Sequence, residues 1–309
     1  MPNYFVGIFA AFLEPVLHAW SNIIDNHFSN NVFPRLAVLL FFGTILNILF
    51  LPIVFLTGGF PSFIPSSLLP FVFLIGLINV VYLFPYYWAL RHTDTSIVGA
   101  LFAFGRIFVP LLAFFFLGEV LAPMQYLGFF IIILSATLLS LDLKTFKLNR
   151  AFFLMLLVTF MLAVQAITYK FVFDQGVSWS SVATALVGVE IVIAGIIMFT
   201  TTRIKAIVED VKKIRKNIKL FALQQGVEWG GYAGSSFAIS IIPVTVAQAI
   251  VSTQPIFILL FASFFSHKFS PEFFKEATHS KEFFRKGMLF LLLIIGTILV
   301  VTTGTVIDI

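Results

Sequence analysis

The sequence predicts an all-α, polytopic membrane protein with ten transmembrane helices arranged as two inverted five-helix repeats. Three observations lead there. The chain is 60% hydrophobic and 11% charged, with a mean hydropathy of +1.06, whereas soluble domains carry roughly 25% charged residues. Apolar stretches of bilayer length recur along it, and its Lys and Arg gather in alternate loops. With 41 Phe, a water-facing fold would leave much of the apolar surface uncovered, so the solvent is lipid.

A span needs about 20 mostly apolar residues. Such stretches run over 4–24, 34–56, 68–90, 95–117, 122–141, 151–173, 182–201, 219–239, 244–265 and 286–306. The first, opening MPNYFVGIFAAF, has no basic n-region and reads as an uncleaved span rather than a signal peptide. The second ends at TGGFPSFIPSS (57–67), where Gly and Pro punctuate the chain, and Pro123 marks the start of the fifth. Pro52, Pro85, Pro110 and Pro255 fall inside spans, which membrane helices tolerate. The chain has no Cys, which excludes disulfide scaffolds, thiolate metal sites and Cys nucleophiles.

Arg35, Arg91, the cluster Lys144–Arg150, the seven basic residues of 203–219 and the five of 268–286 all lie in loops that follow odd-numbered spans. The loops after even-numbered spans hold none clearly, Lys170 at the end of span six being the candidate, and Arg106 lies within span four. By the positive-inside rule the basic loops are cytoplasmic and both termini face out. Basic residues beside spans set topology, so the net charge of +5 does not point to nucleic acid.

An internal repeat accounts for the even number of spans. At an offset of 149 residues, Asp25 meets Asp174 and the run 89–116 meets 238–265 without a gap. Ala136-Thr137 meets Gly296-Thr297 at an offset of 160, which implies an insertion of 11 residues before span ten. There, Glu272-Phe273-Phe274-Lys275 recurs as Glu282-Phe283-Phe284-Arg285, read as an amphipathic segment (267–286) on the membrane surface. The halves are thus 1–145 and 146–309. Each has an odd number of spans, so the second copy inserts upside down, an arrangement of many secondary transporters whose substrate site lies at the midplane.

The run 86–139 contains Ala89-Leu90 at a helix end, a Gly118-Glu119 turn after a span, and Gly128 near the start of the closing helix. Together with EPVLHAWSNIIDNHF (14–28), it resembles the EamA domain of the drug/metabolite transporter superfamily. The second half departs from it, with Ser266-His267-Lys268 in place of the Gly-Glu turn. The resemblance implies a carrier whose central cavity is lined by helices one, three, four, six, eight and nine. It also implies substrates among amino acids, other metabolites and drugs, often exported.

Ionisable residues inside a membrane cost about 2.5–3.5 kcal/mol each at a helix centre on insertion scales, which makes each one a functional candidate. Span one carries Glu14, His18, Ser21 and Asp25, spaced four, three and four apart and so on one helical face. Such a stripe faces a water-filled cavity or ties helices together, an interfacial end being the further alternative for Asp25, and Glu14 and His18 are the candidates for a solute pathway. Span eight presents Gln224, Gln225, Glu228, Tyr232 and Ser235 with Trp229 beside them, and Gly226, Gly230, Gly231 and Gly234 as a small packing side. Arg106 in span four either pairs with Glu14, Glu190 or Glu228, or captures an anionic group of a substrate. Gln254 adjoins Pro255, the residue that meets Arg106 at the repeat offset. Span six adds Gln165 and Tyr169, and span three Asn79, Tyr82 and Tyr86. Tyr87 and Trp88, near a span end, read as interface anchors. Glu190 falls in span seven, outside the cavity that the resemblance implies, and suggests a structural or proton-relay role.

No P-loop, nucleophile elbow or zinc-binding helix occurs. The expectation is a secondary-active carrier in the plasma (inner) membrane, an exporter of a small polar metabolite such as an amino acid, needing no cofactor and with proton coupling as an option. The alternative is a non-transporting sensor or scaffold, and the sequence is compatible with a monomer or a homodimer.

Overall fold

The computed structural model describes residues 2–28, 35–92, 98, 101–102, 104–140, 150–265 and 280–302. The described residues are almost entirely helical. In chain order the helices are α1 (Pro2–His27), α2 (Leu36–Leu46), α3 (Leu51–Gly58), α4 (Leu69–Val81), α5 (Leu83–His92), α6 (Phe108–Leu117) and α7 (Pro123–Ser140). There follow α8 (Arg150–Asp174), α9 (Trp179–Thr201), α10 (Ile204–Lys216), α11 (Ile218–Ile239), α12 (Val244–Val251), α13 (Gln254–Phe265) and α14 (Ser280–Thr302).

Among the described residues, five helical stretches are long and apolar enough to cross a bilayer: Tyr4–Asp25, Leu36–Gly58, Ser66–His92, Arg150–Asp174 and Trp179–Thr201. Shorter apolar helices are Phe108–Leu117, Pro123–Leu138, Val244–Ile258 and Leu291–Val301. The Ser266-His267-Lys268 departure and most of the expected surface segment 267–286 lie outside the described residues, as do Lys144 and Lys147. Helix α10 is a finding that the sequence reading missed, having treated 202–218 as loop. It is strongly amphipathic, with Ile207 and Ile214 packed inward, and Arg35 reaches Asp210 at 3.1 Å.

Prolines explain the interrupted helices. Pro52 follows a 3-10 turn at Asn47–Phe50, Pro85 follows a break at Tyr82, and Pro255 follows a turn at Ser252–Thr253. Pro110 follows a turn at Arg106–Ile107. A proline cannot donate to the carbonyl four residues before it, so the chain tightens there. At Arg106 the carbonyl instead accepts from Val109 N–H at 3.0 Å.

Helix α1 packs along α11. The small side of α11 makes this possible: a Cβ on Gly231 would stand 2.6 Å from His18, and one on Gly234 would stand 2.7 Å from Leu13 Cβ and 2.8 Å from the Ala10 carbonyl. Helix α8 lies against α4, α5 and α6, α9 against α2 and α4, and α1 also meets α12 and α13. Helices α7 and α14 cross where Gly128 and Gly296 oppose each other. A Cβ on Gly128 would come 2.7 Å from the Gly296 carbonyl, and one on Gly296 would come 2.9 Å from the Gly128 carbonyl. Phe5, Phe9, Phe114, Phe115 and Phe116 point outward, fully apolar side chains on the rim of the bundle.

Candidate functional site

Many polar groups of the spans turn inward onto a cavity of about 710 Å³. Helix α1 contributes Glu14, His18, Ser21, Asn22 and Asp25, so the four-three-four spacing does put one polar face on the cavity. Tyr82 and Tyr86 enter from the broken α4–α5 pair, and Arg106 from the turn before α6. Gln165 and Tyr169 come from α8, Glu228, Tyr232 and Ser235 from α11, and Gln248 and Gln254 from α12 and the start of α13. Trp229 does not line this cavity. It faces an adjoining one of about 980 Å³, stacked on Phe50 at 4.7 Å.

Arg106 Nη2 donates to Glu14 Oε1 at 3.3 Å, which decides among its three possible partners. His18 Nδ1 lies 3.7 Å from the same carboxylate oxygen, while His18 Nε2 is 3.3 Å from the Glu228 carbonyl. A carbonyl only accepts, so the second contact is a hydrogen bond when Nε2 carries a proton. The His18 ring meets Tyr232 edge to face at 4.6 Å, and the Tyr232 and Tyr82 hydroxyls share a hydrogen bond.

A second charged centre surrounds Asp25. It is 3% exposed, buried inside the bundle at the end of the first span. Tyr87 donates to Asp25 Oδ1 at 2.7 Å and Gln224 Nε2 at 2.9 Å. The Ser21 and Tyr86 hydroxyls each lie 3.4 Å from Oδ2. Gln224 also donates to Glu228 Oε2, which joins the two carboxylates through one amide. Tyr87 is therefore a buried donor and not an interface anchor. Its signal in the sequence was a hydroxyl one residue after Tyr86, facing the end of the polar stripe of span one.

Away from the cavity, the Gly118-Glu119 turn has a specific geometry. Gly118 takes φ +66°, the left-handed region, and ends α6. Glu119 then folds inward and its Oε1 accepts the Thr245 N–H at 3.2 Å, near the start of α12. A carboxylate at a helix N-terminus satisfies an orphan donor and meets the positive end of the helix dipole. Burial pushes the Glu119 carboxyl up to about 7, against the lowering effects of the Thr245 hydrogen bond and the Lys170 charge.

A cavity that offers a guanidinium, three carboxylates and a row of phenols, with apolar helices around it, can hold a polar solute carrying both signs of charge. Among the described residues no group of three His, Asp or Glu is placed to hold a metal ion. Among solved structures, 29 chains match. One of them, titled only as the crystal structure of a protein, aligns over 97% of this chain and 95% of its own, with 15% identity and a TM-score of 0.66. That likeness concerns the fold alone. A search of curated proteins gave no match. Residues 5–141 match the EamA-like transporter family. Over this segment the chain is similar to the EamA-like transporter family of the drug/metabolite transporter superfamily.

Proposed function

We propose that the protein is a secondary-active carrier that exports a small zwitterionic metabolite, of the amino-acid class, by alternating access around the cavity of Glu14, Arg106 and Glu228. The observation that carries the reading is convergence. In a chain with 11% charged residues, opposite charges from separate helices face one void. Arg106 suits a substrate carboxylate through its two-pronged guanidinium. Asp25 and Glu228, with the phenols of Tyr82, Tyr86 and Tyr232, suit an ammonium group. Glu14 and His18 sit between them as the groups through which a proton could be exchanged. A non-transporting sensor or scaffold has no need of opposed charges gathered in one cavity.

Ten spans in two inverted halves, 1–145 and 146–309, fit this reading. Exchanging the halves carries several helix pairs onto others: α1 against α11 becomes α8 against α4–α5, and α1 against α12–α13 becomes α8 against α6. The pairs α7–α14 and α2–α9 map onto themselves. Loops also sort by parity. Arg35 reaches α10, and Arg150 lies 4.8 Å over the Trp88 ring, all on basic loops. Ser62 meets Ser181 and Glu119 meets Thr245, two loop residues after even-numbered spans each reaching the first turn of a helix that follows another such loop. The basic side is then cytoplasmic, in the plasma (inner) membrane, with the termini opposite it.

The test is flux in proteoliposomes, over a panel of amino acids, with and without a pH gradient. Arg106→Met and Glu228→Gln, checked for native elution and helicity, abolish flux of the substrate identified. Flux at the wild-type rate in both variants would overturn the mechanism.

A further inference from the structure

The adjoining cavity of about 980 Å³ has a chemistry of its own. Its charged lining residues are two carboxylates, Glu190 and Glu228, with no Lys, Arg or His among them. Its walls are the aliphatic Leu39, Leu186 and Val187 and the indoles of Trp179 and Trp229. The first cavity, by contrast, contains Arg106 and His18. The two share Tyr169, Glu228, Tyr232 and Ser236 as a common wall. Glu190, from a helix outside the expected set, is tied to that wall. Asn79 Nδ2 donates to its Oε1 at 2.5 Å, and Gln165, which lines the first cavity, donates to Asn79 Oδ1.

We infer that this second cavity is a binding site for a monovalent organic cation with an aromatic or branched apolar body, its charge between Glu190 and Glu228 and its body against Trp229 and Leu186. A carboxylate inside the apolar bundle is costly without a counter-charge, and among the described residues Glu190 has no cationic side chain on its cavity, while Glu228 has one only on its other side, in the first cavity. An aromatic face adds attraction for a desolvated ammonium, and an apolar wall with few convergent polar groups is the usual make-up of a small-molecule site. An anion would meet two like charges and no basic partner. The site goes beyond the carrier reading and stands without it, since occupancy needs no flux.

Purified protein in detergent is titrated with phenyltrimethylammonium, whose charge does not depend on pH, following heat of binding and tryptophan emission. Saturable binding with a change in emission is expected, with no competition from benzenesulfonate. Glu190→Gln weakens the affinity about tenfold or more, a loss of about 1.4 kcal/mol. Leu186→Phe, which leaves both carboxylates in place and narrows the apolar end, weakens it as well and decides the matter should the Glu190 variant not fold. Trp229→Phe reduces the emission change. Absence of saturable binding, equal affinity for benzenesulfonate, or wild-type affinity in the folded variants would overturn the site while leaving the flux test of the first cavity intact.

Discussion

The Glu119 carboxylate accepts the Thr245 N–H at 3.2 Å, so a turn in one half of the sequence caps a helix in the other. Its carboxyl is pushed up to about 7 by burial, from an ordinary 4.5. Between those values the native protein holds a proton that the unfolded chain has released. Stability from this group is therefore fully present below pH 4.5 and is lost as the pH rises through 7. Detergent-solubilised protein should lose up to about 3 kcal/mol between these limits. Glu119→Gln, uncharged throughout and still able to accept from Thr245, should flatten that part of the melting-temperature profile. An unchanged slope in the variant would show that another group carries it.

The Arg106–Glu14 pair is 12% and 7% exposed at its two side chains. Arg106→Met leaves a buried carboxylate without its cation and should cost about 3–5 kcal/mol. Adding Glu14→Gln should restore part of that loss. A double-mutant cycle on thermal unfolding measures the coupling, and additive effects would deny it.

Removing the Tyr87 hydroxyl takes a 2.7 Å donor from Asp25. Tyr87→Phe should cost about 1–3 kcal/mol, since a buried acceptor loses a partner. The same change at Tyr126, a residue 40% exposed whose hydroxyl accepts from the Leu121 N–H at 3.4 Å, should cost less, under about 1 kcal/mol. Equal losses at the two positions would rule out a network role for Tyr87.

Gly234→Ala sets a methyl 2.8 Å from a backbone carbonyl of α1, which cannot rotate away. Overpacking of this kind costs about 1–3 kcal/mol. At Gly226, on the same helix, the nearest atom to an added Cβ is Phe50 Cζ at 3.7 Å, so Gly226→Ala should be neutral or mildly stabilising. Thermal unfolding of the pair separates close packing from intrinsic helix propensity.

The polar face of α1 was legible in the sequence because Glu14, His18, Ser21 and Asp25 obey the helical period, and lipid leaves such a face only one direction to point. Arg106, Gln165, Tyr169 and Tyr232 were legible for the same reason: polar groups in apolar runs turn inward. Tyr87 was misread because nearness to a span end looks the same in sequence for an interface residue and for a buried one. Trp229 faces the adjoining cavity because residues 228 and 229 point about 100° apart on a helix, a division that the stripe alone does not show. Glu190 could not be tied to Asn79 and Gln165 from spacing, since the contact joins three helices. Helix α10 escaped notice because its period was masked by the search for apolar runs, although Ile204, Ile207, Val211 and Ile214 carry it.

At the crossing of α7 and α14, the space that a side chain on Gly128 would need is filled by the Gly296 carbonyl, and the reverse holds. Neither position can drift to a larger residue while the other stays fixed. Enlarging both would force the two backbones further apart. Two sites distant along the chain are in this sense one locus, and a change tolerated at either must come with a shift of the entire closing helix.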